Sequence, residues 1–453
     1  MKKVITYGTF DMFHEGHYNL LKHAKELGDY LIVGITTEQY DRTRGKLNVY
    51  DSIITRIDHV RESGFADEII IEDHVGQKAE DIKKYNIDVF CVGSDWEGKF
   101  DHLKSLCEVV YIPRTKGISS SKKRQGGRAL IRLGVIGTGR IAHRLPPEAK
   151  LVSGVIITSV YNPHEGSAEK FAEEFELQAA YTELQPFLDS VDAVYIASPH
   201  ETHYEYSMAA MKAGKHVLCE KPLSLHKAEA KKLFAYARKH NLVMMEGLKT
   251  AFCPGFEQIM GIAQSGQIGE IRDVEACFTR LTHPAMREMT DIETGGSFTE
   301  LSTYGMLPIF KIFGTQYKDL RFESVKGENG LDLYTKAYFT YDKGFGLIKS
   351  GLGVKSEGQL IIAGTGGYIL AKSPWWLTQS FEVRYEDPNK KDEHFVVFLG
   401  TGLRYEVNNF IGRIYGSPAA MTLLTDEEST AMAGVMEQFM KSRKKQQPGN
   451  QHE

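Results

Sequence analysis

Long hydrophobic runs, paired cysteines and a surplus of either charge are all missing from this 453-residue sequence. No apolar stretch approaches the roughly 20 residues that a membrane-spanning helix needs, and the run behind Lys2 and Lys3 is too short for a secretory signal. A soluble, cytoplasmic protein is therefore expected. The five cysteines, Cys91, Cys107, Cys219, Cys253 and Cys277, contain no C-x-x-C pair. That excludes a disulfide framework read from spacing and favours reduced thiols in a cytosol. Charged residues are 25% of the chain yet cancel to a net charge of -4. Bulk electrostatics thus gives no reason to expect nucleic acid or a membrane surface as partner, which leaves small molecules. The length suits two or three domains, each able to bury its own core.

What is present starts with Gly8-Thr9-Phe10-Asp11-Met12-Phe13-His14-Glu15-Gly16-His17. The apolar run Val4–Tyr7 before it reads as a strand, and the spacing of Tyr18, Leu20, Leu21 and Ala24 after it reads as a helix. Such a turn aims backbone N–H groups and the positive end of a helix at whatever sits above it, and phosphate is the natural occupant. His14 and His17, three apart, can both face that ligand and donate to oxygens that gain charge at phosphorus. Two surface histidines, or half of a zinc site, would look alike, but zinc lacks two further ligands nearby. No resident metal is expected. Tyr30–Ile35, Ile69–Ile71, Val89–Gly93 and Val109–Ile112 read as further strands separated by helical stretches. This predicts a βαβ, doubly wound parallel sheet. Arg42, Arg44 and Lys46 crowd a turn-like segment where ligands of open sheets bind, although a solvated charge run has the same composition. Pro113-Arg114-Thr115-Lys116-Gly117-Ile118-Ser119-Ser120 then offers a guanidinium, hydroxyls and N–H groups able to cradle phosphate.

Residues 1 to about 122 resemble the glycerol-3-phosphate cytidylyltransferase family of the nucleotidyltransferase superfamily, whose H-x-G-H turn matches His14–His17 and whose R-T-x-G-I-S-[ST] segment matches Arg114–Ser120. Val92–Asp101, which includes Asp95 and Trp96, is similar to the stretch that separates the glycerol-phosphate enzymes from choline- and ethanolamine-phosphate relatives. The resemblance implies that Thr9, Phe10, His14, His17, Lys46 and Arg114 with Thr115, Gly117, Ile118, Ser119, Ser120 and Ser121 hold CTP, accompanied by Mg²⁺. It implies that Arg44, where the family has lysine, and Lys78 meet the polyol phosphate, and that Arg56 helps neutralise phosphates. Gly64 stands where the family usually carries arginine.

Composition shifts to small and basic residues across Ser119–Arg128, which reads as a linker. The strand Ile131–Ile136 runs straight into Gly137-Thr138-Gly139-Arg140-Ile141-Ala142, a dinucleotide-type glycine turn in the strand context it requires. Pro146 and Pro147 should interrupt the following helix early. Gly154–Val160 reads as the next strand and ends at Tyr161-Asn162, with neither Asp nor Arg to separate NAD from NADP. Val194–Pro199 and His216–Pro222 are two more strand-to-loop transitions. From Ile268 on, alternating strands at Val274–Leu281, Leu333–Tyr341 and Phe345–Val354 suggest a largely antiparallel sheet, closed by a helix at Glu427–Met440.

Gly137–Ala142, Ser198-Pro199 with His203, and Glu220-Lys221-Pro222 together resemble the glucose-fructose oxidoreductase and inositol dehydrogenase (Gfo/Idh/MocA) family over residues 130 to about 442. The resemblance implies an NAD or NADP site formed by Gly137, Thr138, Gly139, Arg140, Ile141, Asn162, Ser198, Pro199, His203, Glu220 and Lys221. It makes Lys221 the residue that helps move the substrate's hydroxyl proton, and it implies a homo-oligomer. Lys221 as a plain residue between a strand and a cis-prone proline is the rival reading. Family members usually carry aspartate on a substrate-facing helix with histidine or tyrosine four residues on; Glu300 and Tyr304 keep that spacing, with glutamate in place of aspartate.

The expected fold class is thus α/β. Residues 1–122 form a cytidylyltransferase domain, 123–129 a linker, 130–250 an NAD(P)-binding Rossmann domain, 251–442 an α+β substrate or oligomerisation domain, and 443–453 a disordered tail. The expected function is bifunctional: CDP-glycerol formation from CTP and glycerol 3-phosphate, and NAD(P)-linked redox chemistry on a polyol, sugar or their phosphates. The alternative is a cytidylyltransferase for another polyol phosphate with a catalytically silent Rossmann module.

Overall fold

The computed structural model describes residues 1–44, 46, 49, 51, 53–113, 130–416 and 423–445, the side chains of 38, 39, 42, 54, 444 and 445 excepted. The chain divides into two compact units, Met1–Leu133 with Leu145–Phe187, and Gly134–Arg144 with Leu188–Glu453.

Strands β1 (Lys3–Gly8), β2 (Tyr30–Thr36), β3 (Glu68–Glu72), β4 (Val89–Gly93) and β5 (Glu108–Ile112) form a five-stranded sheet in the order β3-β2-β1-β4-β5. Every neighbouring pair runs parallel. The apolar runs are buried on both faces because helices cover both: Val4, Leu31, Val33 and Val89 pack into one core and Ile5, Ile32, Phe90 and Val92 into the other. The order reverses between β1 and β4, so their carboxyl ends open a crevice at the switch point, beneath the His14 turn. The basic segment after β2 is not a simple turn, since Glu38–Thr43 is a short helix.

A second sheet follows the glycine-turn strand. β6 (Ile131–Ile136), β7 (Val155–Tyr161), β8 (Ala179–Tyr181), β9 (Ala193–Ile196), β10 (His216–Glu220) and β11 (Met244–Gly247) are ordered β11-β10-β9-β6-β7-β8. Counted within the sheet this is the 3-2-1-4-5-6 order of dinucleotide-binding domains. As the two prolines require, the segment after the glycine turn is broken into a 3-10 turn, Ala142–Arg144, and a five-residue helix, Leu145–Ala149.

The third sheet has eight strands: β12 (Ile271–Thr279), β13 (Asp319–Lys326), β14 (Asp332–Thr340), β15 (Phe345–Gly351), β16 (Leu360–Gly364), β17 (Tyr368–Ala371), β18 (Ser380–Arg384) and β19 (Lys391–Phe395). Their order is β13-β14-β15-β12-β16-β17-β18-β19. Six of its seven pairings are antiparallel; β12 and β15 run parallel. That pair is joined through the helix Ser297–Phe313 and the β13–β14 hairpin, the long crossover that parallel neighbours need. The same helix lies on the sheet and is buried along most of its length, from Ser297 to Phe310 with Glu300 the half-buried exception.

The expected tail is corrected in part. The last helix runs Asp426–Lys445, three residues into the segment read as disordered, and Arg443 is buried. Its guanidinium donates to the carbonyls of Gly295 at 2.8 Å and Ile292 at 3.0 Å and to that of Glu293. A polar composition hid a buried cation that closes the loop before the Ser297 helix. Residues 446–453 lie outside the described residues.

Candidate active sites

The first site is built on the turn between β1 and the helix Glu15–Glu26. Phe10 and Met12 hold positive φ angles of 52° and 46°, a conformation seldom taken by non-glycine residues and held here by tertiary bonds. The Met12 amide donates to Asp51 Oδ2 and the Asp51 amide to Asp11 Oδ1, each at 2.7 Å. His14 caps the helix, its Nδ1 accepting from the amides of Gly16 at 3.0 Å and His17 at 3.4 Å. Because backbone amides only donate, the neutral His14 ring carries its proton on Nε2. The His17 ring stacks on it with centroids 3.8 Å apart, and Phe10 and Phe13 pack on His17 at 5.5 and 5.6 Å. The sequence motif therefore becomes two imidazoles fixed side by side at a helix N-terminus.

Below them lies a buried carboxylate that the sequence did not single out. Asp41 accepts from Thr9 Oγ1 at 3.0 Å, Thr36 Oγ1 at 2.7 Å and Arg44 Nη2 at 2.5 Å. Lys46 turns back so that its amide donates to the Asp41 carbonyl at 2.9 Å. Burial pushes the Lys46 ammonium below its usual range, with Asp41 and Asp11 opposing that shift. Arg56 is placed differently from expectation: it is wholly buried and donates to the carbonyls of Thr9 at 2.9 Å, Thr36 at 2.8 Å and Asp51 at 3.0 Å. It braces the floor of the turn through Nε and Nη1, and its Nη2 has no hydrogen-bond partner among the described residues. Lys78 lies in the first turn of the helix Gln77–Tyr85 and is paired with Glu72. Asp95 and Trp96 fall in the 3-10 turn Ser94–Trp96 that follows β4. Arg114, Thr115, Gly117, Ile118, Ser119, Ser120 and Ser121 lie outside the described residues.

The second site gathers around the ends of β6, β9 and β10. Gly137 has φ of 96°, and a Cβ there would stand 2.7 Å from the Ala197 carbonyl oxygen, so only glycine fits this close approach of two strand ends. That bare, tight turn is what a pyrophosphate-binding loop requires, and with Thr138, Gly139 and Ser198 it would hold a dinucleotide. Arg140 Nη2 is tied at 2.7 Å to Glu288, which takes Arg280 Nη2 at the same distance. Ile141 is half-buried behind the turn. Asn162, at the end of β7, accepts from the His164 amide at 2.9 Å in a local turn. Ser198 Oγ accepts from Thr202 Oγ1 at 2.7 Å, just before Pro199. His203, expected to line the cofactor site, is fully buried, its ring nitrogens 3.0 and 2.8 Å from the Ser198 and Pro222 carbonyls. Burial lowers its pKa, and a neutral ring, with one N–H, donates to only one of the two carbonyls at a time.

Lys221 follows β10 at a cis Lys221–Pro222 bond. Its Nζ donates to the Glu300 carbonyl at 3.0 Å and lies 3.5 Å from Glu300 Oε2 and 6.0 Å from the Tyr304 ring centroid. Helical spacing thus brings Glu300 and Tyr304 to the same lysine, as the i, i+4 argument required. Burial opposes charge on Glu300, but its cationic neighbours, Lys221 foremost, together outweigh burial and the carboxyl is held at about 2. His200 Nε2 is 3.6 Å from Glu300 Oε1. Burial drives His200 down to about 3, leaving it neutral at physiological pH, so Lys221 and the more distant Arg280 carry the effect. Burial, then Glu220, pushes the Tyr304 phenol far above its usual range. Behind Lys221 lies a buried acidic group of which sequence reading singled out Glu220 and not Glu406. Glu220 accepts from Tyr195 Oη at 2.5 Å. Glu406 is fully buried, neither carboxylate oxygen has a hydrogen-bond partner among the described residues, and burial followed by Glu220 raises its pKa well up.

The family model described as "Cytidylyltransferase-like" matches residues 5–126, and "Oxidoreductase family, NAD-binding Rossmann fold" matches residues 131–248. The glycerol-3-phosphate cytidylyltransferase of Bacillus subtilis (strain 168) is 52% identical over 125 residues, which are 28% of this chain and 96% of that protein. The scyllo-inositol 2-dehydrogenase (NADP(+)) of the same organism is 27% identical over 322 residues, 69% of this chain and 97% of that protein. Among solved structures, a 3-ketoreductase from Actinomadura kijaniata in complex with NADP and TDP-benzene superposes with a TM-score of 0.59 at 24% identity, covering 68% of this chain and 96% of that one. This last likeness speaks to the fold.

Proposed function

Since the chain belongs, over residues 5–126, to the glycerol-3-phosphate cytidylyltransferase family and carries behind it an NAD-binding domain of the Gfo/Idh/MocA oxidoreductase family, we propose that its first half makes CDP-glycerol and its second half performs NAD(P)-linked redox chemistry. The observation that carries the first part is the fixed pair of imidazoles at the helix N-terminus, with His14 oriented to present Nε2–H. In the proposed reaction an oxygen of the glycerol 3-phosphate phosphoryl group attacks the α-phosphorus of CTP. The bond from that phosphorus to the bridging oxygen breaks and pyrophosphate leaves, so no protein nucleophile is needed. His14, His17, Lys46 and Arg114 bear the charge that grows on the transferring oxygens. The proposed Mg²⁺ rides on the triphosphate, its common mode.

In the second half a bound NAD or NADP supplies or accepts hydride at a polyol, sugar or their phosphates. The chain's own part is to seat the dinucleotide on Gly137–Arg140 and to move the hydroxyl proton through Lys221, with Tyr304 beside it. A silent second half is the rival reading, favoured by one observation: Glu300 occupies the Lys221 ammonium. CDP-glycerol would feed a teichoic-acid-like or capsular polymer, in the cytoplasm, and the protein is proposed to be a homo-oligomer.

The test is pyrophosphate release from CTP and sn-glycerol 3-phosphate with Mg²⁺, lost in His14→Ala and His17→Ala. Release with ATP but not CTP would move the chain to another branch. Turnover of any polyol or sugar with NAD(P), abolished in Lys221→Ala, would reject the silent reading.

A further inference from the structure

The strained turn that carries the two imidazoles is held by a residue distant in sequence. Phe10 and Met12 sit in left-handed conformations, with φ of 52° and 46°, which L side chains keep only where surrounding contacts outweigh the strain. Asp51 supplies such contacts. Its Oδ2 accepts from the Met12 amide at 2.7 Å, its own amide donates to Asp11 Oδ1 at 2.7 Å, and its carbonyl accepts from Arg56 Nε at 3.0 Å. Arg56 extends the chain of bonds through Nη1, which donates to the Thr9 carbonyl at 2.9 Å and the Thr36 carbonyl at 2.8 Å. The turn is thus clasped at residues 9, 11 and 12. His59 flanks the clasp, its Nδ1 3.9 Å from Asp51 Oδ2, beyond hydrogen-bond range, and its ring 6.0 Å from that of Phe13.

A carboxylate in this position has two possible uses, and they differ in what they require. A general base or a Mg²⁺ ligand needs its negative charge turned toward substrate. A brace needs only an acceptor oxygen at the Met12 amide, and that is where Oδ2 points, on a side chain only 13% exposed. His14 follows Met12 by two residues, so a shift of the Met12 peptide carries both imidazoles with it. The bonds of residue 51 to Asp11 and Arg56 are made by its backbone and do not depend on its side chain.

We propose that Asp51 is a positioning residue for nucleotidyl transfer: its carboxylate fixes the Met12 peptide and so sets the reach of His14 and His17 toward the transferring phosphoryl oxygens. The segment that leads into Asp51 carries Arg44 and Lys46, so the same residue registers the basic segment against the imidazole pair. This rests on the cytidylyltransferase reading above.

The experiment uses the full-length protein with CTP, sn-glycerol 3-phosphate and Mg²⁺. Displacing by about 1 Å a group that acts on the transition state costs on the order of 100-fold. Asp51→Ala should therefore lower kcat for pyrophosphate release by about 10- to 100-fold and leave KM for both substrates within about threefold, the pattern of an interaction made in the transition state. Asp51→Asn, whose amide oxygen still accepts from Met12, should stay within about threefold of wild type in kcat. Hydrogen exchange resolved by residue should show the Met12 amide exchanging at least about tenfold faster in Asp51→Ala, with the Val33 and Ile35 amides of β2 unchanged. An asparagine variant as impaired as alanine is expected to be overturns the inference, because charge and not an acceptor oxygen would then be the requirement; this arm decides even if the alanine protein does not fold. Full kcat in Asp51→Ala, or a Met12 amide as protected there as in wild type, also overturns it. Wild-type protein that releases no pyrophosphate overturns the cytidylyltransferase reading itself, and the exchange measurement still tells whether Asp51 holds the turn.

Discussion

Replacing Glu300 by glutamine should remove a specific pH dependence of stability. The Glu300 carboxyl is held at about 2 in the fold against an ordinary 4.5, through its contact with Lys221. A depressed carboxyl contributes stability that is complete above its unfolded value and is lost as pH falls toward its folded value. The whole effect is a gap of roughly 2.5 units, or about 3 kcal/mol, between pH 6 and pH 2. Only part of that window is accessible to a folded protein. At pH 3.5 the unfolded carboxyl is about 90% protonated and the folded one almost wholly ionised, so about 1.4 kcal/mol should already be gone. The assay is urea unfolding of wild type and Glu300→Gln at pH 6, 4.5 and 3.5, followed by a signal from the second unit. Wild type should lose about 1.4 kcal/mol more than the variant across that range, with only about 0.4 kcal/mol of it gone at pH 4.5. Parallel pH profiles would refute the Lys221–Glu300 pairing, and with it the reason for regarding the glutamate as a restraint on the lysine.

Three further outcomes are expected. His14→Ala should abolish pyrophosphate release and also cost about 1 kcal/mol from the lost cap, whereas His14→Asn should recover the stability and not the activity, as read by calorimetry beside the assay. Gly137→Ala should lose NADPH binding in a fluorescence titration while the pyrophosphate assay is unaffected, because the added methyl meets the Ala197 carbonyl at 2.7 Å and the φ of 96° disfavours any side chain. Arg443→Met should destabilise by about 3 kcal/mol in guanidinium unfolding, since the carbonyls of Gly295, Ile292 and Glu293 would lose their buried donor.

The strands of both parallel sheets were legible because an apolar run buried on two faces leaves a continuous signal. β8 and β11 were not, being short and flanked by no such run. The parallel β12–β15 pair was likewise invisible, since side-chain alternation reports which face a residue takes and says nothing of the direction of its neighbour. His14 and His17 were readable from spacing along one helix, as were Glu300 and Tyr304. Asp41, Glu72 and Glu406 were not, because a carboxylate in sequence carries no mark of burial. Arg56 and His203 were read as ligand contacts from family resemblance, and the structure adds that both side chains are wholly buried.

The sequence by itself determined the two nucleotide-type glycine-bearing turns, the strand-turn-helix context of each and the family to which each half is similar, because these depend on residues close together in the chain. The tertiary structure alone decided which charged groups are free to meet a ligand. Charge compensation acts over a few ångströms between residues far apart in sequence, such as Lys221 with Glu300 and the carbonyls that Arg443 ties down.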